Sequence, residues 1–388
     1  MIVRQFLQWI RNAPSGERAD ATSALARAYL HSDLSADDRA AAEGAMIMLL
    51  DDPSPLVRRA LSTVFASSQA APAVIVHALA ADQPDVACPL LERSPLLRDA
   101  DLVDLVASGN AEVQIAIASR FPLGRSVSAA IAEVGAAAAC LAVLENPDAE
   151  LATFSLDRIV ERFGHLAAIR ENLLARDDLP AATRQALLAK LSQTLAGFVA
   201  ARQWLPQDHA EDTARQACEK ATVTLAADVP ADEVPALVSY LRSSGQLTAG
   251  LILRALLSGN TVLFEEALAD LSGLPIDAVV NLIHDRTIAG FHALYRKAQL
   301  PDLAYPAFRA AVIALREGIL ATERCNGSQL NRRMVEHVLD RCAEDSHLTV
   351  SPLIALLQRY SVEAAREEAR TFCQDLVAEP FEQPRLVA

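Results

Sequence analysis

The chain has 388 residues, a formal net charge of −14, 52% hydrophobic residues and only 5% aromatic ones. No segment is strongly basic, which argues against a nucleic-acid binder, since such proteins carry a basic footprint. Alanine and leucine dominate, both favour helix, and the apolar residues are spread evenly along the chain, which suits stacked helix pairs better than one globule.

Six cysteines, Cys88, Cys140, Cys218, Cys325, Cys342 and Cys373, are scattered and form no Cys-x-x-Cys pair. That pattern predicts free thiols in a reducing compartment. Met1–Ile10 lacks the apolar core and cleavage site of a secretory signal. The longest apolar run, Val134–Leu144, is too short to span a bilayer. A cytoplasmic location without a transmembrane segment is expected.

In chain order, residues 2–12 read as a short amphipathic helix, with Ile2, Phe6, Leu7 and Ile10 on one side. It either caps the open end of a helical stack or touches a membrane surface through Trp9 and its arginines. Residues 17–31 form the next helix. Ser35-Ala36-Asp37-Asp38 starts another, the serine accepting from free N–H groups and the acids meeting the positive helix end.

A pattern then recurs. Asp51-Asp52-Pro53, Pro84-Asp85-Val86, Asn110-Ala111-Glu112 and Asn146-Pro147-Asp148 each precede a helix, at a period of roughly 30 to 40 residues. In the helix after Pro53, the apolar residues Leu56, Val57, Ala60, Leu61, Val64 and Phe65 make a stripe too wide to bury alone. Pro72 opens a partner helix, and Asp99–Ala107 is helical again. Neighbours must therefore stack.

The run Leu90-Leu91-Glu92-Arg93-Ser94-Pro95-Leu96-Leu97, followed by Asp101-Leu102-Val103 and Ile117-Ala118-Ser119-Arg120, resembles a bacterial all-helical family catalogued as domain of unknown function 2336. The later runs Leu251–Asn260 and Phe264–Leu271 resemble it too. The resemblance covers roughly residues 15–320. It implies a HEAT-like helical fold and carries no activity or catalytic motif.

Pro180 opens a long helix toward Trp204, and Pro206 opens another that ends before Pro230. Helices are then expected at about 231–243, 248–258, 261–272, 276–285, 288–298 and 304–318, punctuated by Gly245, Gly259-Asn260, Gly273 and Pro301. Two more fill 329–372. The fold class is all-α: a HEAT-like α-solenoid of stacked antiparallel helix pairs over 1–164, a long-helix connector over 165–228, a second helical block over 229–372, and a disordered tail over 373–388.

The chain contains no phosphate loop, dinucleotide glycine motif, zinc-protease histidine pair, Cys₂His₂ pattern or nucleophile elbow. No cofactor and no metal are expected. His284 and His292 lie eight residues apart across a turn and lack a third ligand. The arginines carry the best local signal. Arg93, Arg120 and Arg158 each follow an apolar anchor (Val86, Val113, Leu151) by seven residues, about two helical turns. A guanidinium on an apolar face needs partners. These arginines either stitch neighbouring turns, through acids such as Asp82, Asp85, Glu112 or Asp148 or through carbonyls, or form a positive row for a partner's carboxylate or phosphate. Arg58 and Arg59, at a helix start, are expected to be the more exposed and to be contact candidates.

The leading functional expectation is a non-catalytic, protein-binding scaffold or regulatory protein. One alternative is phosphotransfer through a helix-borne histidine among His77, His284, His292 and His337. Another is an unrecognised enzyme with a pocket between the two helical blocks.

Overall fold

The computed structural model describes residues 8–10, 12–285, 288–318, 327–343 and 352–378. These residues are helical throughout, apart from turns, and contain no strand; a single isolated parallel bridge joins Leu123 to Ala149. The chain divides into two compact units, Met1–Asp178 and Leu179–Ala388.

The first unit holds α1 (Ser15–His31), α2 (Ala36–Leu49), α3 (Pro55–Phe65), α4 (Ala73–Ala80), α5 (Pro84–Arg93), α6 (Asp99–Ser108), α7 (Ala111–Ala118), α8 (Arg125–Val134), α9 (Ala137–Glu145), α10 (Thr153–Phe163) and α11 (Ala167–Leu174). α1, α3, α5, α7, α9 and α11 pack in succession as one row. α6, α8 and α10 pack in succession as a second row, and α2 and α4 lie against the first. The starts follow the expected chemistry. Ser35 accepts from the Asp38 N–H at 3.2 Å, Asn110 accepts from the Val113 N–H at 3.1 Å, and Pro55 and Pro84 stand in the first turns of α3 and α5. Pro89 lies inside α5, which continues to Arg93. The apolar stripe repeats from helix to helix: Val57, Leu61 and Phe65, then Val86, Leu90 and Leu91, then Val113 and Ile117, all buried.

The turns differ between the two edges of this unit. Loops 66–72, 94–98, 119–124 and 146–152 follow the C-termini of first-row helices and share one edge. On the other edge the connections shrink to Gly109-Asn110 and Gly135-Ala136. The fourth copy of the turn pattern is therefore out of phase with the first three. Asn146-Pro147-Asp148 sits on the long-loop edge and leads into α10 of the second row, whereas the first-row helix of that position, α9, follows the two-residue turn at Gly135. Glycine makes that turn possible, because an added Cβ would sit 2.5 Å from the Ile131 carbonyl oxygen; at Gly109 it would sit 2.5 Å from that of Leu105.

The second unit holds α12 (Ala181–Ala201), α13 (Gln207–Asp228), α14 (Val234–Ser243), α15 (Ala249–Leu257), α16 (Thr261–Ser272), α17 (Ile276–His284), α18 (Ile288–Lys297), α19 (Tyr305–Arg316), α20 (Arg332–Ala343) and α21 (Pro352–Ala378). Gly245, Gly259 and Gly273 take positive φ at its turns. Its core stacks Phe264 on Phe308 at 6.3 Å and includes Phe291 and Tyr295, whose hydroxyl donates to the Pro301 carbonyl at 2.6 Å.

The boundary between the two compact units, at Asp178 and Leu179, falls inside the expected connector 165–228. α11 packs on α9 and belongs to the first unit, while α12 and α13 pack on α14 and α15 and belong to the second. Residues 373–378 continue α21, so the expected tail begins in helix, and 379–388 lie outside the described residues. Most of the expected amphipathic segment 2–12 also lies outside them. Within it, Gln8–Ile10 is helical, with Ile10 buried and Trp9 45% exposed.

Gly109→Ala and Gly135→Ala each force the added methyl onto a helix-end carbonyl. Each substitution is expected to lower stability by about 1–3 kcal/mol in urea unfolding, the usual cost of overpacking.

Candidate functional site

The arginine positions separate into stitches and surface groups. Arg58 is a stitch, not the exposed contact expected of it. Its side chain is 15% exposed, and Nε and Nη2 donate to the two carboxylate oxygens of Asp82 at 2.5 and 3.0 Å. Nη1 donates to the Asp52 carbonyl at 2.6 Å. Arg18 repeats this one helix earlier in the row, donating from Nε and Nη2 to Asp52 at 3.0 and 2.8 Å and from Nη1 to the Ala13 carbonyl. Both arginines are the fourth residue of their helices. Gln114, fourth in α7, takes the same role without charge. It donates to the Val106 carbonyl at 3.0 Å and accepts from the Ala136 N–H at 2.8 Å.

Arg120 joins a different pair of groups. Its guanidinium donates to the Leu91 carbonyl at 2.5 Å and the Ser94 carbonyl at 2.7 Å, at the C-terminal end of α5. The last carbonyls of a helix have no partner within it, and the fork of arginine spans two of them. Arg162 does the same in the second row, reaching the Ala132 and Gly135 carbonyls at 2.7 Å each, at the end of α8. Sequence reading placed Arg158 in this series and missed Arg162. The signal was the spacing from the buried residue: Arg162 follows buried Ser155 by seven positions, as Arg120 follows Val113. Arg158 instead makes surface pairs with Glu133 at 2.8 Å and Glu161 at 2.5 Å. Arg59 and Arg93 are exposed.

Among the exposed groups of the long-loop edge, which include Arg98, Asp148 and Glu150, stand large apolar side chains. Val74, Phe121 and Phe154 are 65%, 65% and 61% exposed. The two phenylalanines flank loops joined by backbone: the Leu123 N–H donates to the Asp148 carbonyl at 3.3 Å, and the Glu150 N–H to the Leu123 carbonyl at 3.0 Å. Asn146 fixes the same loops from below, donating to the Ala118 and Arg120 carbonyls at 2.8 Å.

The second unit contains a buried charge cluster that sequence reading did not find. Arg254 on α15 is 4% exposed, donates from both terminal nitrogens to Glu363 at 2.9 Å and lies 4.6 Å from the ring centre of Tyr360. Lys220 on α13 approaches Glu363 at 3.5 Å and pairs with Glu367. Burial pushes the Glu363 carboxyl up, but Arg254 and Lys220 together hold it below the ordinary carboxylate value. Burial pushes the Tyr360 hydroxyl up to about 12. An open groove of about 730 Å³ beside the cluster is lined by Lys220, Arg359, Val362, Arg366 and Arg370 among others.

The histidines are dispersed. His284 faces Glu265 at 3.4 Å, His292 lies edge-on to Tyr305 at 4.9 Å, and His77 is exposed. His284 and His292 stand on separate helices; Arg286 and Thr287 between them lie outside the described residues. Among the described residues, no three metal-ligating side chains gather and no helix is long and apolar enough to cross a membrane.

The stitches predict graded losses. Arg58→Ala and Arg120→Ala are each expected to cost about 1.5–3 kcal/mol in urea unfolding, the range for hydrogen bonds to charged groups. Arg120→Lys fails to rescue, because one ammonium does not span both carbonyls. Arg158→Ala leaves the unfolding midpoint unchanged, as for most surface pairs. Asp82 adds a pH dependence. The hydrogen bond from Arg58 holds its carboxyl below the ordinary value, so its contribution is full above the ordinary carboxylate range. It is lost as pH falls through the lowered value, and acid titration of Asp82→Asn should lack that component. In the second unit, Glu363→Ala strands the buried Arg254 and is expected to cost about 3–5 kcal/mol by thermal or urea unfolding.

No curated protein and no solved structure matches the chain. A family model does, over residues 86–350, beginning later and reaching further than the resemblance read from the sequence. The match covers more than half of the 388 residues, so the chain belongs to that family, an uncharacterised protein conserved in bacteria (DUF2336).

Proposed function

We propose that the first unit is a HEAT-like α-solenoid and that the protein acts as a cytoplasmic, non-catalytic scaffold or regulatory protein that binds another protein. The row of successively packed helices, stitched from α1 to α9 through arginine or glutamine, supports the solenoid reading. The observation that carries the binding reading is the pair Phe121 and Phe154, large apolar side chains more than 60% exposed at one edge, Phe121 on a backbone-tied loop and Phe154 in the first turn of α10. Aromatic groups held on a fixed frame lose little entropy on binding and dominate contact energies. The acidic balance of the chain sets the chemistry around them, so the partner is a protein with an apolar patch and a basic rim, not a nucleic acid.

The test is co-purification from the native cells after mild cross-linking, with a Phe121→Asp, Phe154→Asp double variant alongside. A discrete partner protein is expected with the unaltered chain. Its recovery should drop about tenfold or more in the variant, the loss typical of a removed aromatic anchor, while circular dichroism is unchanged. Equal recovery from both, or no partner above background, overturns the reading.

A further inference from the structure

The hairpin of α12 and α13 is closed by small and polar side chains. Gln185 donates to the Gln246 side chain at 2.9 Å and accepts from the Thr222 hydroxyl at 3.0 Å, and Ala196 and Ala210 are buried farther out. Beside that seam, α12 carries a second stripe: Leu188, Leu191, Leu195 and Phe198. The spacing of three, four and three residues is the heptad spacing that matches one helix to another. Nothing in the hairpin fills it at the outer end, where Leu195 is 53% and Phe198 47% exposed. The stripe ends on an ordered cap. Trp204 meets Phe198 edge-on at 5.8 Å, and the Arg202 guanidinium lies 4.6 Å from the Phe198 ring centre.

Charge says what covers the stripe. α12 carries Arg184 and Lys190 and no acid, so its formal charge is +2. α13 carries Asp208, Glu211, Asp212, Glu219 and Asp228 against Arg215 and Lys220, so its formal charge is −3. When two such hairpins close into a four-helix bundle about a two-fold axis, each α12 lies between its own α13 and the partner's. Every adjacent pair then joins unlike charges, and like helices face each other only across the diagonal. A single basic or acidic helix docking on the stripe satisfies one side of this arrangement only. We propose that the α12–α13 hairpin is a homodimerisation element, and that the occupant of the Leu188–Phe198 stripe is the hairpin of a second copy of this chain.

The experiment is sedimentation equilibrium of the full chain over a concentration series, beside two variants: Leu195→Glu with Phe198→Glu, and Arg184→Glu with Lys190→Glu. The unaltered chain is expected to reach twice its chain mass. The first variant should stay monomeric. The second should dissociate at least tenfold more readily, with the helical circular dichroism of both retained. A monomer at every concentration overturns the proposal. So does a dimer that persists in the Leu195→Glu, Phe198→Glu variant, because another surface then holds it. Unchanged affinity in the charge variant overturns the alternating-charge bundle. The Phe121, Phe154 variant should dimerise like the unaltered chain, which keeps this result separate from partner binding by the first unit.

Discussion

A helix ends in carbonyls that its own backbone leaves unpaired, and the first unit depends on how those carbonyls are met. Arg120 closes the end of α5 from the loop that follows α7, and Arg162 closes the end of α8 from α10, the next helix of its row. At the opposite edge, Arg18 and Arg58 reach acids that precede the following first-row helix. Each bond fixes both the separation of two helices and their shift along one another. Apolar packing alone does not set that shift, because a stripe of leucine and valine slides with little penalty. The directional bonds set the register, and the apolar stripes supply most of the burial energy.

These bonds also decide what the surface presents. The chain has 35 lysines and arginines against 49 acids, and the arginines that the repeat pattern emphasises are partly held inside the fold. The second unit follows the same logic in a more buried form. Arg254, Lys220, Glu363 and Glu367 bring α15, α13 and α21 to one point, where two cations balance two carboxylates. Removing one partner there is far worse than removing an exposed pair such as Arg158 with Glu161, because the remaining charge has no water to turn to.

Much of the helix order was legible in the sequence, and the reasons are local. Ser35 and Asn110 mark starts where the side chain accepts from an N–H three residues on, and Pro84 stands in the first turn of the helix it opens. Gly245, Gly259 and Gly273 mark turns for the same reason. The phase of the repeats was harder to read. The Asn146 turn has the composition of the earlier Asp, Asn and Pro turns but leads from a first-row helix into the second row, while the turn that leads into the first-row helix α9, at Gly135-Ala136, has no acid or proline to announce it. That slip put Arg158 in place of Arg162. Arg58 was misjudged because its partner, Asp82, lies 24 residues away, where helix periodicity carries no information. Arg254 was invisible for the same cause on a larger scale, with Glu363 standing 109 residues downstream.

The unequal edges of the first unit have a bearing on how such a chain diversifies. At Gly109 and Gly135 the backbone passes so close to the preceding helix that no side chain fits, and the connection is two residues long. An inserted residue there displaces every later helix in the row. On the far edge, loops such as 119–124 and 146–152 are longer, and insertions in them leave the helix spacing untouched. Changes in chain length are therefore channelled to the edge that carries Phe121 and Phe154. Descendants of this chain can vary what that edge displays while inheriting an unaltered frame.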